Sequence, residues 1–271
     1  SSVDLIKREF PEVVLIESKE NTGFTGGNNL GAAVAKGELL LLLNNDTRLL
    51  TDVQPIVGAF TRSERLGIAG CRMEYGDGRL QCSMGYDHTP LRVLLSWLGL
   101  KRLTWLPSVF RREILSEDCY SSKQDDVAWV SGAFLMTRRR LYEQVGGLND
   151  EYFMYMEDVE LCKMVRMRGA LVSFFPDVRI VHYEGSGKAW IGEQALKRTL
   201  RSYLIFTCKF YGTAPARRLR QAMSVVMRFR SLIYGVLGMA GGGAIAEEKR
   251  LGYRAAGEYL RGLEIPPQGK S

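Results

Sequence analysis

Apolar and polar residues alternate in blocks through the first part of the chain, and the blocks have the lengths of strands and helices. Five consecutive leucines, Leu39–Leu43, lie between Gly37 and a polar triplet that begins at Asn44. A short, wholly apolar run bounded by turn residues is typical of a strand covered on both faces. The elements predicted here are, in chain order, strand 13–17, helix 27–36, strand 39–43, helix 52–62 and strand 67–73. Strands that alternate with helices indicate an α/β domain with a mostly parallel sheet.

The second part of the chain ends in long helical patterns. We predict a strand over residues 128–137, a helix over 157–168, and two short strands at 171–175 and 179–182. With 271 residues, of which 46% are hydrophobic, the chain is large enough for one domain with an appendage. We therefore expect an α/β domain over residues 1–189 and a basic, amphipathic helical region over residues 190–271.

The acidic residue Asp46 follows the leucine run directly, as the last member of the triplet Asn44, Asn45 and Asp46. Ligands of open α/β sheets bind beyond the carboxyl ends of the strands. A lone carboxylate at that position predicts a contact to a metal ion or to a phosphate.

A glycine-rich segment, residues 21–29 with the sequence NTGFTGGNN, precedes a run in which Leu30, Ala33 and Val34 recur at helical spacing. We predict a turn that opens a helix, with Gly37 as the helix stop. Backbone N–H groups at a helix start attract anions, and glycines allow a phosphate or sugar to approach closely. A turn that contains glycines for conformational reasons alone is the alternative.

Asp158 begins a third candidate segment, in which Leu161, Cys162 and Val165 follow at i+3, i+4 and i+7. This spacing places the Asp158 carboxylate on the apolar face of a helix. Acidic residues at a helix start also complement the helix dipole, and that explanation suits Glu157. A partly desolvated carboxylate next to a cleft has a raised proton affinity, which a general base requires.

Five segments together resemble the family 2 glycosyltransferases of the GT-A fold, especially the rhamnosyltransferase-like branch that builds bacterial surface polysaccharides. The resemblance covers about residues 3–212, and five motifs in the same order are far more specific than any one of them. The matching segments are residues 21–29, 43–47 (LNNDT), 129–134 (WVSGAF), 146–161 and 182–186 (HYEGS).

The resemblance implies a Rossmann-like GT-A sheet with helices on both faces and a metal-dependent, inverting sugar transfer. The donor would be a nucleoside-diphosphate sugar, with rhamnose favoured by this branch, and the acceptor a glycan or lipid-linked glycan. Asp158 would be the catalytic base that deprotonates the acceptor hydroxyl. Asp46 and His182 would hold Mn²⁺ or Mg²⁺ against the diphosphate, and a single imidazole is more acceptable to Mn²⁺.

The resemblance also implies which residues contact the two substrates. The expected donor-binding residues are Gly26, Gly27, Asn28, Asn29, Asn44, Asn45 and Asp46. The expected acceptor-binding residues are Trp129, Gly132 and Glu157, with Lys188 in a lid over the diphosphate. Trp129 fits a core position equally well, and the segment around Lys188 fits a flexible loop.

The start of the chain departs from the family. Members begin with a strand, a helix and a second strand whose end carries an Asp that reads the nucleobase, and about forty such positions before Ser1 have no counterpart here. Two other functions therefore stay open: a non-catalytic sugar-nucleotide-binding protein, and a sugar nucleotidyltransferase, which would release pyrophosphate. The sequence identifies neither the donor's sugar and base nor the acceptor, the linkage or the oligomeric state.

Basic residues are concentrated in the C-terminal part of the chain. Residues 194–246 contain nine Lys or Arg and no acidic residue; the rest of the chain has 28 basic and 30 acidic residues. A basic amphipathic helix is typical of proteins that lie on an anionic membrane surface. A span is disfavoured, because the longest uncharged run here, residues 231–246, is shorter than the ~20 residues required. Packing on the chain's own domain, with solvated basic faces, is the alternative.

A second basic and apolar segment, residues 88–112, contains Trp97 and Trp105 and no acidic residue. The two segments would share one membrane plane, so we expect a cytoplasmic protein held peripherally at the inner face of the cell membrane. Five cysteines without a Cys-x-x-Cys pair favour the reduced cytosol. No segment resembles a nucleic-acid-binding module, so no nucleic acid partner is expected. His88 matches no motif and is expected in a loop.

Overall fold

The computed structural model describes residues 2–100, 103, 105–183 and 192–265. Its helices are α1 (Ser2–Glu9), α2 (Gly23–Val34), α3 (Gln54–Arg62), α4 (Pro90–Ser96), α5 (Arg139–Gln144), α6 (Glu157–Met167), α7 (Glu193–Tyr211), α8 (Thr213–Leu237) and α9 (Gly243–Gly262). Its strands are β1 (Leu39–Leu43), β2 (Thr47–Leu49), β3 (Leu66–Glu74), β4 (Leu80–Gln81), β5 (Met84–Gly85), β6 (Trp129–Val130), β7 (Phe134–Arg138) and β8 (Leu171–His182).

The central sheet has the strand order β1-β7-β3-β8-β2, and β4 extends it by pairing with β3. β3 and β8 pair in parallel, whereas β7 is antiparallel to both of its neighbours, β1 and β3. The three strands β1, β3 and β8 therefore point the same way, and β7 and β2 run against them. The predicted α/β class is confirmed, with one reversed strand inside the sheet.

Both faces of the sheet are covered, as the leucine run predicts. Leu40 and Leu42 belong to a large hydrophobic cluster that also contains side chains of α6, α7, α8 and α9. Leu39 and Leu41 pack against a second cluster, on the face that holds Ile56 of α3. Alternate residues of a strand point to opposite faces, so one strand supplies both clusters. The C-terminal helices thus share a core with the sheet.

Residues 13–17 form no strand, which corrects the prediction for that segment. Val13 and Val14 are exposed, and within the described ranges β1 pairs only with β7. An apolar run becomes a strand only where a neighbouring strand satisfies its N–H and C=O groups. The segment therefore has the composition of a strand without the partner that a strand requires.

Three other predicted strands differ in their limits. The strand predicted over 128–137 is divided into β6 and β7 by residues 131–133, and β6 pairs with β5 in a separate two-stranded sheet. The two strands predicted at 171–175 and 179–182 are the single strand β8, which shifts register against β3 between Cys71 and Arg72. The break at residues 131–133 matters for the site, because it frees the backbone N–H of Gly132 from the ladder.

Helices α7, α8 and α9 form the C-terminal region that the sequence predicts, and α8 also lies against α4. Within the described ranges, every helix is too short or too polar to cross a membrane.

Candidate active site

The carboxyl end of β1 leads through Asp46 into β2, which runs back along β8. Thr47 pairs with His182 in the ladder between these strands, and Oδ1 of Asp46 lies 3.2 Å from Nε2 of His182. The backbone N–H of Tyr183 donates to the Asp46 carbonyl oxygen at 2.9 Å. The fold therefore brings together the two residues predicted as metal ligands, although they are far apart in sequence.

The His182 ring is held between two polar groups. Nδ1 lies 3.2 Å from Oε1 of Gln81, an oxygen that only accepts hydrogen bonds. A neutral ring therefore carries its proton on Nδ1, and its Nε2 lone pair faces Asp46 and Nδ2 of Asn44, which is 3.2 Å away. Metal-binding histidines are oriented in the same way, by a hydrogen bond from the other ring nitrogen.

The pair of one carboxylate and one imidazole fits a divalent ion that is shared with a substrate. Mg²⁺ and similar ions are usually held by one or two protein ligands, with substrate phosphates and water in the other positions. In the part of the chain that the structure describes, no group of three or more His, Cys, Asp or Glu side chains is placed to enclose a metal. The Asp46 side chain is 45% exposed, so the pair is open to a phosphorylated ligand.

Asp158 is the second residue of α6, and its carboxylate is tied to the loop between β6 and β7. Oδ2 accepts a hydrogen bond from the N–H of Gly132 at 2.9 Å, and Oδ1 accepts one from the N–H of Val159 at 2.8 Å. Burial raises the pKa of the Asp158 carboxyl, and these N–H donors oppose that rise. The N–H of Asn44 donates to the carbonyl of Ala133 at 3.1 Å. One loop thus holds both Asp158 and the end of β1.

The neighbouring acid, Glu157, occupies a different environment. Burial and the Asp158 carboxylate raise the pKa of Glu157 to about 8. Its Oε2 atom is buried and has no hydrogen-bond partner among the described residues. Glu157 lines a cavity of about 350 Å³ that Glu160 and Lys209 also line. Glu157 is therefore mostly neutral at neutral pH.

The backbone before these acids is strained. Tyr155 and Met156 have φ angles of 70° and 78°, in the left-handed region that side chains other than glycine rarely adopt. Each such residue costs roughly 1–2 kcal/mol. The strain allows the chain to turn sharply, so that Glu157 and Asp158 occupy the first turn of α6, where the helix dipole favours negative charge.

The glycine-rich segment lies inside α2 instead of forming a turn before it, which corrects the predicted helix start. The Asn21 side chain accepts the N–H of Gly23 at 3.0 Å and starts the helix there. Gly23 has a φ of 72°, and a Cβ at this position would lie 2.2 Å from the carbonyl oxygen of Phe153. A Cβ on Gly132 would lie 3.1 Å from the ring of Phe24. The segment thus packs against the loops that hold Asp158.

The side chain of Asn29 joins α2 to the loop before α6. Its Nδ2 donates to the carbonyl of Leu148 and to Oδ1 of Asp150, each at 2.8 Å. Its Oδ1 accepts from the hydroxyl of Tyr142 at 2.6 Å and from the N–H of Leu148 at 3.0 Å. Asn29 therefore has a structural role that its predicted donor contact does not require.

The other residues of α2 that are predicted to contact the donor differ in how much space and hydrogen-bonding capacity they have left for it. The amide of Asn28 donates to the carbonyl of Phe24 in its own helix at 2.8 Å. Gly26 packs closely on Thr22, whereas a Cβ at Gly27 would meet open space. Contact of these residues with a donor stays a prediction.

Trp129 lies in the core, which favours the structural alternative for this residue over an acceptor contact. It is 8% exposed, and its Nε1 donates to the Tyr86 carbonyl at 3.2 Å. Its ring centroid lies 5.8 Å from that of His88, which is buried and also stacks on Tyr203. Burial lowers the pKa of His88 to about 3. Lys188, the predicted lid residue, lies outside the described residues.

Sequence reasoning missed the residues that support the site. Gln81 orients His182, but only the pairing of β4 with β3 shows where it lies. Glu160 is buried and accepts hydrogen bonds from Tyr152 at 2.5 Å and from Lys209 at 2.7 Å. Lys209, next to Phe210 in α7, could have indicated a buried acidic partner from the sequence, because a charge on an apolar helix face requires a partner.

The chain is similar to several known proteins. Residues 1–146 match the family described as glycosyl transferase family 2. An N-acetylglucosaminyl-diphospho-decaprenol L-rhamnosyltransferase of Mycobacterium tuberculosis is 41% identical over 58 residues, or 21% of this chain and 19% of that protein. The low-salt glycan biosynthesis hexosyltransferase Agl10 of Haloferax volcanii is 25% identical over 203 residues, or 73% of this chain and 59% of that protein. The matches thus span less than two thirds of either relative.

The crystal structure of GalNAc-T7 with UDP, GalNAc and Mn²⁺ has a similar fold. Its TM-score is 0.51 at 15% identity, over 78% of this chain and 39% of that chain. This likeness concerns the fold alone. The family match covers more than half of the chain, so the chain belongs to glycosyl transferase family 2.

Proposed function

We propose that this protein transfers a sugar from a nucleoside diphosphate to a glycan or lipid-linked acceptor with inversion, and that it requires a divalent metal ion. The observation that carries the proposal is the position of Asp158. Its carboxylate is fixed by the N–H groups of Gly132 and Val159, in the loop system that also holds the end of β1. The base must be fixed beside the attacking hydroxyl, on the side of the anomeric carbon opposite the leaving group, and this loop system supports a fixed position for it.

Asp158 accepts the proton of the acceptor hydroxyl in the proposed reaction. The hydroxyl oxygen forms a bond to the anomeric carbon while the bond from that carbon to the diphosphate oxygen breaks. Attack on the face opposite the leaving group inverts the anomeric configuration, and no covalent intermediate is needed. Each Asp158 oxygen accepts one backbone hydrogen bond, so a lone pair remains on each for the hydroxyl proton.

Asp46 and His182 are the proposed metal ligands, and the orientation of the His182 ring by Gln81 supports this role. A bound dication would neutralise the negative charge that develops on the departing diphosphate. Asn44 and Asn45 adjoin Asp46 and are the proposed donor contacts at the end of β1.

The substrate class is inferred from the relatives. The M. tuberculosis protein is named as a rhamnosyltransferase that acts on a decaprenol-linked diphosphate sugar. We propose the same chemical class here, with dTDP-rhamnose as donor and a polyprenol-linked glycan as acceptor.

The test is a reaction with Mn²⁺, dTDP-rhamnose and a polyprenol diphosphate-linked N-acetylglucosamine, in which the released nucleotide is identified. A nucleoside diphosphate is expected; release of pyrophosphate would contradict sugar transfer. Asp158→Asn should lower turnover by ~10²-fold or more, with donor affinity retained, because only proton acceptance is lost. Asp118→Asn, at an exposed aspartate, is the matched control and should leave turnover unchanged. Turnover in Asp158→Asn equal to that of the wild type removes Asp158 from the mechanism.

A further inference from the structure

Helix α8 is apolar on two opposite faces. Its inner face is buried against its neighbours through Leu219, Met223 and Met227. Its outer face carries four large apolar side chains that are 60–69% exposed: Val225, Phe229, Leu232 and Val236. A helix that is apolar on both faces normally has both faces covered, so the outer face requires an explanation.

The four exposed residues form one continuous surface, here called the outer stripe. They follow one another at i, i+4, i+7 and i+11, which places them in a line along one side of the helix. The line is about 16 Å long at 1.5 Å per residue. Met239, just beyond the end of α8, is 83% exposed and continues it.

The loop after α4 contacts α8 through Arg230, which lies on the inner side of the helix with Met223 and Met227. Nη1 of Arg230 in α8 donates to the carbonyl of Trp97 at 3.0 Å, and its Nη2 donates to the hydroxyl of Tyr253 in α9 at 2.8 Å. The same loop carries Leu98, which is 46% exposed, and Trp105, which is 78% exposed. The two apolar, basic segments found in the sequence therefore contact each other at Arg230, and each carries exposed apolar side chains.

The charge on α8 has one sign. α8 contains no acidic residue, and Arg217, Arg218 and Arg228 are exposed on it. On the adjacent helix α9, Glu247 forms an ion pair with Arg250, so one of its exposed acids is already compensated. An apolar line flanked by arginines matches the chemistry of an anionic bilayer surface.

We infer that the outer stripe rests on the surface of an anionic lipid bilayer, with α8 parallel to the membrane plane. The apolar side chains enter the boundary between headgroups and acyl chains, and the arginines contact lipid phosphates. A second copy of the chain fits less well, because a two-fold contact through the stripe would bring the arginine rows of both copies together. The inference stands on the charge and exposure of α8 and does not depend on the donor or the reaction.

Only some of the arginines of α8 are free to contact lipid in this proposal. Arg220 donates to the carbonyls of Leu260, Arg261 and Leu263 and so caps the C-terminal end of α9. Arg230 is engaged with Trp97 and Tyr253, as described above. A test that neutralised either would disturb the fold, so Arg218 and Arg228 are the suitable positions.

The experiment is sedimentation of the purified protein with vesicles of phosphatidylcholine and phosphatidylglycerol at low salt. Arg218→Gln together with Arg228→Gln should weaken binding about 25-fold, at roughly fivefold for each charge near the surface. Leu232→Asp together with Val236→Asp should weaken it by more than about tenfold, because charges enter the apolar boundary. Added salt should weaken the wild type but leave a salt-resistant remainder from the apolar side chains.

Matched controls separate this surface from nonspecific attraction. Lys19→Gln with Lys36→Gln removes two exposed charges elsewhere, and Met167→Asp places a charge at a residue that is 69% exposed on α6. Both controls should bind vesicles within about twofold of the wild type. Circular dichroism should show all variants folded, because every substituted residue is exposed. Wild-type binding by the stripe variants, or a change in oligomeric state in place of vesicle binding, overturns the inference.

Discussion

His182 and Asp46 form a contact in which two electron-rich atoms face each other. Nε2 of the ring and Oδ1 of the carboxylate are 3.2 Å apart, and Gln81 holds the opposite ring nitrogen. With the proton on Nδ1, the Nε2 lone pair accepts a hydrogen bond from Nδ2 of Asn44 at 3.2 Å and also faces the Asp46 carboxylate. The proposed divalent ion would be held by both groups, and this proposal leads to the first prediction.

Asp46→Ala should weaken Mn²⁺-dependent donor binding most, and His182→Ala should weaken it less. A dication loses a negative ligand in the first variant, whereas water can replace a neutral imidazole in the second. Gln81→Leu should weaken binding by roughly tenfold, because the ring loses its fixed orientation. Calorimetric titration of the donor with and without Mn²⁺ measures all three. Equal donor affinity of the wild type in both conditions contradicts a metal bridge.

Asn29→Ala should destabilise the protein by about 1–3 kcal/mol, because a buried Tyr142 hydroxyl and the Leu148 N–H lose their shared acceptor. Asn28→Ala is the matched variant in the same helix, and it removes only a bond to the Phe24 carbonyl one turn earlier. Its cost should stay within about 0.5 kcal/mol. Urea unfolding measures both. Equal costs would show that the links from Asn29 to the 148–150 loop contribute nothing.

Patterns of neighbouring residues in the sequence correctly predicted β1 and the start of α6. The leucine run ends at Asp46 on the expected edge, and α6 begins at Glu157 as the apolar spacing indicates. Residues 13–17 have strand composition but no strand beside them, and composition cannot supply that partner. The break of the 128–137 strand at Gly132 depends on hydrogen bonds to Asp158, which is distant in sequence.

The supporting residues of the site could not be predicted for the same reason. Gln81 contacts His182 across 101 positions, and Lys209 contacts Glu160 across 49. No spacing in the sequence connects either pair. His88 has no motif because its environment is made by aromatic residues of α7, which pack onto it only in the folded chain.

Glu157→Gln should remove a pH dependence of stability. The folded-state pKa of Glu157 is about 8, above its ordinary value of 4.5, so the folded state binds more protons in that range. The contribution of Glu157 is fully present below pH 4.5 and is lost as the pH rises through 8. The glutamine variant cannot ionise. Between pH 5 and pH 8.5 its unfolding free energy should therefore gain on the order of a few kcal/mol relative to that of the wild type. Urea unfolding at both values measures this gain. Glu151→Gln, at an exposed residue, is the control and should show no such gain.

His88→Phe should reduce the loss of stability at mildly acidic pH. The folded-state pKa of His88 is about 3, below its ordinary value of 6.5, because burial among aromatic rings disfavours the charged ring. His88 therefore binds a proton in the unfolded chain but not in the folded chain. The unfolding free energy falls as the pH drops below 6.5 towards 3. Between pH 7.5 and pH 5.5 this group accounts for about 1.4 kcal/mol of lost unfolding free energy.

Phenylalanine keeps the aromatic packing around position 88 and does not titrate, so the variant should lose about 1.4 kcal/mol less than the wild type over this range. Phe206→Leu alters the same cluster without changing a titratable group, and it should lower stability equally at both pH values. Urea unfolding of the three proteins at pH 7.5 and pH 5.5 gives the comparison. An unchanged pH dependence in His88→Phe would mean that His88 is protonated in the folded chain. Protonation would require a polar path to a ring that is only 3% exposed.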